Sequence, residues 1–195
     1  SLLFMIVVSI PLGIYSAVKR GSVFDYVVKG LTFLGVSIPG FWLGLMLLWI
    51  LGLKLDLFPI VGGTVSLETI ILPATTLGIA MASKYTRQVR TAVLEELHQD
   101  YVVGARARGM SEKHILWKEV LPNAMLPLIT LMGLSLGSLL GGAAVIEMVF
   151  GWPGLGRLAI EAITYRDFQL VQGVVIWIAL MYMIINLVVD ISYNY

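Results

Sequence analysis

The sequence contains no cysteine and little charge. Only 13% of its 195 residues are charged and 58% are hydrophobic, whereas soluble domains are about 25% charged. The absence of cysteine excludes disulfides, thiolate metal sites and a cysteine nucleophile. The net charge of +1 argues against nucleic-acid binding, which needs a concentrated basic face. This composition is typical of a protein embedded in a lipid bilayer.

Residues that could carry chemistry are also scarce. None of the six lysines is followed by Ser or Thr, so the Gly-Lys-Ser/Thr ending of a nucleotide-binding P-loop is absent. The two histidines, His98 and His114, lack metal-ligand spacing, and the sequence offers no clustered His, Asp or Ser residues of the kind a membrane-embedded enzyme needs. We therefore expect no catalytic residue, no cofactor and no metal site in this chain.

Long uncharged runs predict an all-α membrane fold. Three of them contain no Asp, Glu, Lys or Arg and reach the ~20 residues that cross a hydrocarbon core: Leu31–Leu53, Pro122–Ile146 and Phe168–Val189. Two further candidates are Ser1–Val18 and roughly Thr69–Ser83, which is short unless Glu68 and Lys84 extend toward the interfaces. The pattern thus predicts about five spans. Because the sequence starts inside an apolar run without an initiator Met, we expect it to be part of a longer protein.

The lysines and arginines are divided unequally between the connecting loops. Ten lie in the loops after the first and third predicted spans, whereas only Lys54, Arg157 and Arg166 lie in the alternate loops. Cytoplasmic loops of membrane proteins carry the excess of positive charge. We therefore predict that segment 84–122 is cytoplasmic, that segments 54–68 and 147–167 are external, and that the C-terminus is cytoplasmic.

Small and polar residues within the spans are candidates for helix packing or for lining a transport pathway. Gly133, Gly137 and Gly141 recur every four residues and make one thin helix face. That face either packs inside the chain, or it meets a second transmembrane subunit or lines the pathway. The other candidates carry hydroxyl groups: Thr75, Thr76, Ser135 and Ser138. Prolines at positions 11, 39, 73 and 127 predict kinks within or near the ends of spans.

The predicted cytoplasmic segment has a regular internal pattern. A hydrophobic residue at every fourth position extends the third predicted helix from the membrane through Leu97. Asp100 is placed to cap a second, short helix, Gly109 to end it in the left-handed conformation, and Ser111 to cap the next one. Two short helices meeting at a glycine form either a compact knob or an amphipathic hairpin on the lipid headgroups. The pattern alone favours neither.

Two separated motifs then indicate a family. The first is a cytoplasmic loop motif that reads Glu-Ala-Ala, three residues, Gly, nine residues, Ile, one residue, Leu-Pro. Gly109 and Leu121-Pro122 match its glycine and its closing pair at the same spacing. Val103, Gly104 and Glu119 depart from it. In these features the chain resembles the transmembrane subunits of bacterial ABC importers. The runs Ala-Arg-Ala-Arg-Gly at 105–109 and Trp-Pro-Gly-Leu-Gly at 152–156 are similar to the dipeptide, oligopeptide and nickel permease branch.

The resemblance implies that residues 1–195 form one transmembrane permease domain, in a family whose full-length members have six spans. Such a subunit works in a bacterial or archaeal cell membrane. It pairs with a second homologous permease subunit, two cytoplasmic ABC ATPases that hydrolyse ATP, and an extracytoplasmic solute-binding protein. The implied ATPase-coupling residues are Asp100, Tyr101, Gly104, Ala105, Arg106, Arg108, Gly109, Met110, Ser111 and Glu112. A bulky side chain at Ala105 is then expected to collide with a groove on the ATPase.

The external segment 147–167 is expected to contact the binding protein or to gate the outer mouth. Its candidate residues are Trp152, Pro153, Gly154, Gly156, Arg157 and Glu161. The alternative for Trp152 is an anchor at the membrane interface, where tryptophans concentrate.

The predicted function is transport of peptides through half of a translocation pathway, with nickel or a metal chelate as the alternative cargo. A secondary transporter or channel is the alternative of another class. That class is expected to show intramembrane charges or interrupted half-helices in two repeats, and the sequence shows neither. Dependence of uptake on ATP rather than on an ion gradient discriminates the two classes.

Overall fold

The computed structural model describes residues 1–59 and 66–192, except for the side chains of residues 134, 138, 140–142 and 192. The described part is all-α and contains no strand, so the predicted fold class is confirmed. Its helices are α1 Leu2–Val18, α2 Val23–Ser37, α3 Gly40–Leu47, α4 Leu67–Leu97, α5 Asp100–Ala107, α6 Glu112–His114, α7 Leu121–Gly142, α8 Ala144–Val149, α9 Leu155–Thr164 and α10 Phe168–Ser192. π-helical turns at Leu48–Lys54 and Ile115–Val120 extend α3 and join α6 to α7.

Within the described residues, two helical runs are long and apolar enough to cross a membrane, Glu112–Gly137 with 26 residues and Phe168–Ile191 with 24. The second confirms the predicted span at 168–189. The helix predicted over 122–146 begins at Leu121 but ends at Gly142, because two consecutive glycines weaken a helix end. The apolar helix α1 has 17 residues.

The predicted span over Leu31–Leu53 is broken at Pro39, one of the prolines for which a kink was predicted. Helix α2 ends at Ser37, Pro39 is extended with φ −59° and ψ 133°, and α3 begins at Gly40. Proline has no backbone N–H and disfavours helical conformation in the residue before it, so Ile38 and Pro39 interrupt the helix. A third span exists only if α2 and the α3 segment are counted together as one broken span.

Helix α4 runs without interruption from Leu67 to Leu97 over 31 residues. It contains the predicted short span at 69–83 and continues through the basic segment, which confirms the predicted extension to Leu97. Val89 and Val93 on this extension are fully buried, as their four-residue spacing indicates.

The chain divides into two compact units. The first comprises residue 1 with 38–78 and 132–195, and the second comprises 2–37 and 79–131. In the first unit, Leu72, Ile146 and Phe150 form the buried apolar cluster. There α10 packs against α7 so closely that a Cβ on Gly133 would overlap Val189 and a Cβ on Gly137 would overlap the ring of Tyr182.

The second unit contains the larger buried apolar cluster. Helix α1 approaches α4 closely at Gly13, where an added Cβ would lie 2.6 Å from Val89 Cβ. The cluster then extends to α5, the π turn at 115–120 and the start of α7: Ala17, Val89, Val93, Val102, Ala105, Ile115, Val120, Leu121, Ala124 and Leu128. This core holds α5 and the turn after it against α4.

Candidate functional site

Residues 100–120 form a compact knob, which consists of α5, the turn at Gly109, α6 and the following π turn. Val102 is fully buried and Ala105 is 1% exposed, both in the apolar cluster that includes Ile115 and Val120. The knob therefore rests on the protein's own core. Ala105 faces this core. We therefore expect a bulky residue at position 105 to collide with the core of this chain and not with a groove on the ATPase.

The ends of α5 are fixed by specific local geometry. Its N-cap is Gln99, whereas Asp100 lies in the first helical turn, so the prediction that Asp100 caps the helix is wrong by one residue. Gly109 has φ 76°, which confirms the predicted left-handed turn. Its N–H donates to the Arg106 carbonyl at 2.9 Å. The Ser111 hydroxyl accepts from the His114 N–H, so this predicted cap is confirmed.

The exposed face of the knob is polar. Arg106 and Glu112 form an ion pair at 2.7 Å across the Gly109 turn. Arg108 has one weak contact, from its guanidinium to the Met110 sulfur at 3.9 Å, and Gly104 leaves a thin surface next to it. Most of the predicted coupling residues are thus exposed, whereas Ala105 is buried and Met110 is half-buried against the same apolar cluster.

Tyr101 connects the knob to the helices on either side of it. Its hydroxyl donates to the Glu96 carboxylate at 2.6 Å, and the Asn123 side-chain amide donates to the Tyr101 hydroxyl at 3.5 Å. Partial burial, together with the Glu96 carboxylate, raises the pKa of Tyr101 above its usual range. The hydroxyl therefore remains a hydrogen-bond donor at physiological pH.

A buried ion cluster, which the sequence patterns do not predict, anchors the α1–α2 turn to α4 in the same unit. The Asp25 carboxylate is fully buried and accepts from Arg90 Nε at 2.7 Å, Ser16 Oγ at 2.6 Å and the Gly21 N–H at 3.0 Å. Lys29 Nζ lies 2.8 Å from it. The only sequence signal was the four-residue spacing of Asp25 and Lys29, since Arg90 lies 65 residues away.

The predicted external residues form a separate corner at 147–161 in the first unit. The Glu147 carboxylate accepts from the Arg157 N–H at 2.8 Å, where α9 begins, and lies against Gly154 so that a Cβ there would overlap it. A Cβ on Gly156 would lie 2.5 Å from the Ala144 Cα. Arg157 also donates to the Gly151 carbonyl at 2.9 Å and pairs with Glu161 at 2.7 Å. Trp152 is half-buried and Pro153 is exposed.

The residues predicted to line a pathway or to pack helices do not form one continuous site in the described part of the chain. The hydroxyls of Thr75 and Thr76 donate to the Leu72 carbonyl at 3.0 and 2.8 Å. Gly133 and Gly137 pack against α10 of the same chain. Ser135 is buried. The side chain of Ser138 and the surroundings of Gly141 lie outside the described residues.

Comparison with known proteins gives concordant matches. Residues 9–195 match the family described as binding-protein-dependent transport system inner membrane component. The dipeptide transport system permease protein DppB of Escherichia coli (strain K12) is 37% identical over all of this chain and 66% of its own length. The glutathione transport system permease protein GsiC of Salmonella choleraesuis (strain SC-B67) is 42% identical over 99% of this chain and 63% of its own.

A third relative is the oligopeptide transport system permease protein AppB of Bacillus subtilis (strain 168), which is 38% identical over 99% of this chain and 64% of its own length. The chain thus spans just under two thirds of the length of these relatives. Among solved structures, an inward-facing form of the MetNI methionine ABC transporter superposes with a TM-score of 0.78 at 20% identity, covering 99% of this chain and 88% of that one. This superposition shows that the chain has the same fold as that transporter subunit.

Proposed function

Because the chain belongs to the family of binding-protein-dependent transport system inner membrane components, we propose that it forms half of the translocation pathway of an ATP-driven importer. It is a permease subunit without catalytic chemistry of its own. Two cytoplasmic ABC ATPases hydrolyse ATP, and a second homologous permease subunit completes the pathway. The knob at 100–120 couples this chain to the ATPases.

The observation that carries the proposal is the construction of the knob. Val102 and Ala105 fix α5 to the core, while the opposite face, including Arg106 and Arg108, is exposed. A short helix that is packed against the core on one side and polar on the other can be moved by a partner bound to its polar side. It then transmits that movement to α4 without unfolding. Such a rigid element is what an ATPase needs in order to drive a change between inward-facing and outward-facing forms.

The position of the knob relative to the membrane follows from the distribution of charge. The excess of Lys and Arg in segment 84–122 supports its placement in the cytoplasm of a bacterial cell, with the C-terminus on the same side. The corner at 147–161 is then external. Its exposed Glu161 and half-exposed Arg157 support contact with an extracytoplasmic solute-binding protein.

We propose short peptides as the cargo. The named cargoes of the relatives are dipeptides, oligopeptides and glutathione, and glutathione is itself a peptide. Peptide carriers need no covalent chemistry from the permease, which agrees with the scarcity of catalytic side-chain clusters in the sequence.

The test uses the full transporter, with both permease subunits and the ATPases in proteoliposomes and the loaded binding protein outside. Arg108→Glu reverses an exposed charge on the knob, and Lys19→Glu is the matched control at an exposed lysine in the α1–α2 turn. We expect Arg108→Glu to reduce ATPase retention during purification and ATP-dependent uptake by at least about tenfold, corresponding to roughly 1.4 kcal/mol of contact energy. Lys19→Glu is expected to retain both.

Two results would contradict the proposal. Uptake driven by an ion gradient without ATP would assign the chain to the secondary transporters. Normal ATPase retention and uptake in both variants would remove the knob as the coupling element and favour the headgroup-resting hairpin.

A further inference from the structure

A cavity of about 490 Å³ lies beside α4 within the second unit. Its polar lining comes from one face of this helix: Lys84, Arg87, Gln88, Thr91 and Glu95. Apolar residues of α2 and α7 contribute the rest of the wall. Its volume falls within the range of roughly 300–1,000 Å³ found for small-ligand sites.

Among the charged side chains along this cavity, Lys84 lies with its Nζ over the Tyr85 ring, 5.8 Å from the ring centroid. Within the described residues, none of Lys84, Arg87 and Glu95 takes part in a salt bridge. The Gln88 side-chain oxygen is buried and has no hydrogen-bond partner. Unpaired polar groups on a concave surface are available to a ligand, whereas the neighbouring Arg90 is already held by Asp25.

The order of the charges along α4 separates a positive end from a negative end. Arg87, Thr91 and Glu95 are spaced by four residues and therefore lie on one helix face. A helix rises 1.5 Å per residue, so the positions of Arg87 and Glu95 are about 12 Å apart along the axis. An extended chain spans roughly 3.5 Å per residue, so three to four residues fit this separation.

We propose that the α4 cavity binds a zwitterionic ligand of about tripeptide size. Arg87 and Lys84 hold its carboxylate, Glu95 holds its ammonium group, and Gln88 and Thr91 bond to its backbone amides. This inference rests on the proposed function and deepens it, because it names the free peptide ends as the groups that the permease itself recognises. An anionic lipid headgroup would satisfy the two cations but would leave Glu95 next to a phosphate.

The experiment measures binding of three probes to the purified permease–ATPase complex in nanodiscs, without the binding protein, by isothermal titration calorimetry. The probes are trialanine, its C-terminal amide and its N-acetyl form. We expect the wild type to bind trialanine about tenfold more tightly than either modified peptide, since each modification removes one charge-assisted contact.

Each cavity variant is expected to weaken the preference for one free end of the peptide and to keep the preference for the other. Arg87→Gln, which leaves Lys84 in place, reduces the preference for trialanine over its amide but still rejects the N-acetyl form. Glu95→Gln reduces the preference for trialanine over its N-acetyl form and still rejects the amide. Lys19→Gln, which removes a lysine outside the cavity, behaves as the wild type. A merely structural role for Arg87 or Glu95 would weaken all three peptides together and would overturn the proposal.

Two further outcomes would also overturn it. Equal affinity of the wild type for all three probes would exclude end recognition at this site. A defect of Arg87→Gln that appears only in nanodiscs with anionic lipid would assign the cations to headgroups. ATP-dependent uptake of trialanine by the complete transporter is measured in parallel. If this uptake persists while end recognition is absent, only the site is wrong, whereas uptake without ATP would refute the proposed function.

Discussion

The knob at 100–120 and the corner at 147–161 both place glycine beside a short helix, but for different physical reasons. Gly109 has φ 76°, and an added Cβ would meet no atom within 4 Å. The knob therefore requires glycine there for its left-handed backbone conformation and not for lack of space. Gly156 is buried, and an added Cβ would lie 2.5 Å from the Ala144 Cα. The corner therefore requires glycine there because a side chain has no room. A residue that tolerates left-handed geometry can therefore replace the first glycine but not the second.

The two regions also differ in how their charged groups are used. In the knob, Arg106 and Glu112 pair on the exposed surface and leave the core apolar. In the corner, the Glu147 carboxylate accepts the Arg157 N–H at the start of α9 and is part of the packing. The knob is thus stabilised by its apolar underside, whereas the corner is stabilised by backbone proximity and a half-buried acceptor.

The largest effect is expected from Ala105→Trp, because it enlarges a side chain that is 1% exposed in the knob's apolar underside. Overpacking a core costs roughly 1–3 kcal/mol and occasionally more, so we expect a clear fall in the unfolding temperature of the purified complex. Ala107→Trp, at an exposed position of the same helix, is the control and should preserve that temperature. Equal stability of the two variants would contradict the burial of α5.

The next effect is expected from Gly156→Ala in the corner. The new methyl group must displace the backbone of α8, which costs about 1–3 kcal/mol, and thermal unfolding followed by fluorescence would measure it. Gly173→Ala in α10 is the control, since a Cβ there meets no atom within 4 Å. An unchanged unfolding temperature for Gly156→Ala would show that α8 and α9 are less tightly packed than described.

A smaller effect with a characteristic rescue is expected at Gly109. Gly109→Val places a β-branched residue at positive φ, at a cost of roughly 1–2 kcal/mol, and should lower ATPase retention. Gly109→Asn should recover most of it, because asparagine visits this conformation readily. Gly21→Val imposes similar strain at φ 79° in the α1–α2 turn and should leave retention intact. Equal defects in the Val and Asn variants would contradict the conformational explanation.

The smallest effect is expected from Glu161→Gln, which removes the exposed pair with Arg157 in the corner. Exposed pairs of this spacing contribute about 0.3–0.5 kcal/mol, so thermal stability should hardly change. Stimulation of the ATPase by the loaded binding protein should nevertheless fall if Glu161 takes part in docking. Unchanged stimulation would leave this pair with a local structural role.

Features governed by local chemistry could be predicted from the sequence. The continuation of α4 to Leu97, the positive φ of Gly109 and the Ser111 cap each depend on a few neighbouring residues. Ala105 was assigned to the partner surface by the family motif, and α5 with its eight residues is too short for periodicity to identify its buried face. The kink predicted at Pro39 is present as a full break between α2 and α3, because the proline removes a backbone donor at that point.

Contacts between distant segments could not be predicted in this way. The pairing of Asp25 with Arg90 depends on how α1, α2 and α4 pack, and no spacing rule relates residues so far apart. The same holds for the α4 cavity, whose polar side chains follow one helix but whose apolar wall comes from α2 and α7.

The Asp25–Arg90 pair has a consequence for biosynthesis. Its members lie 65 residues apart, and chains are synthesised at about 5–20 residues per second, so the carboxylate of Asp25 is made roughly 3–13 seconds before its arginine. Lys29, one helical turn away and 2.8 Å from the carboxylate, is available almost at once. We expect it to hold the acid during that interval, so that the α1–α2 turn closes onto α4 only after Arg90 has been synthesised.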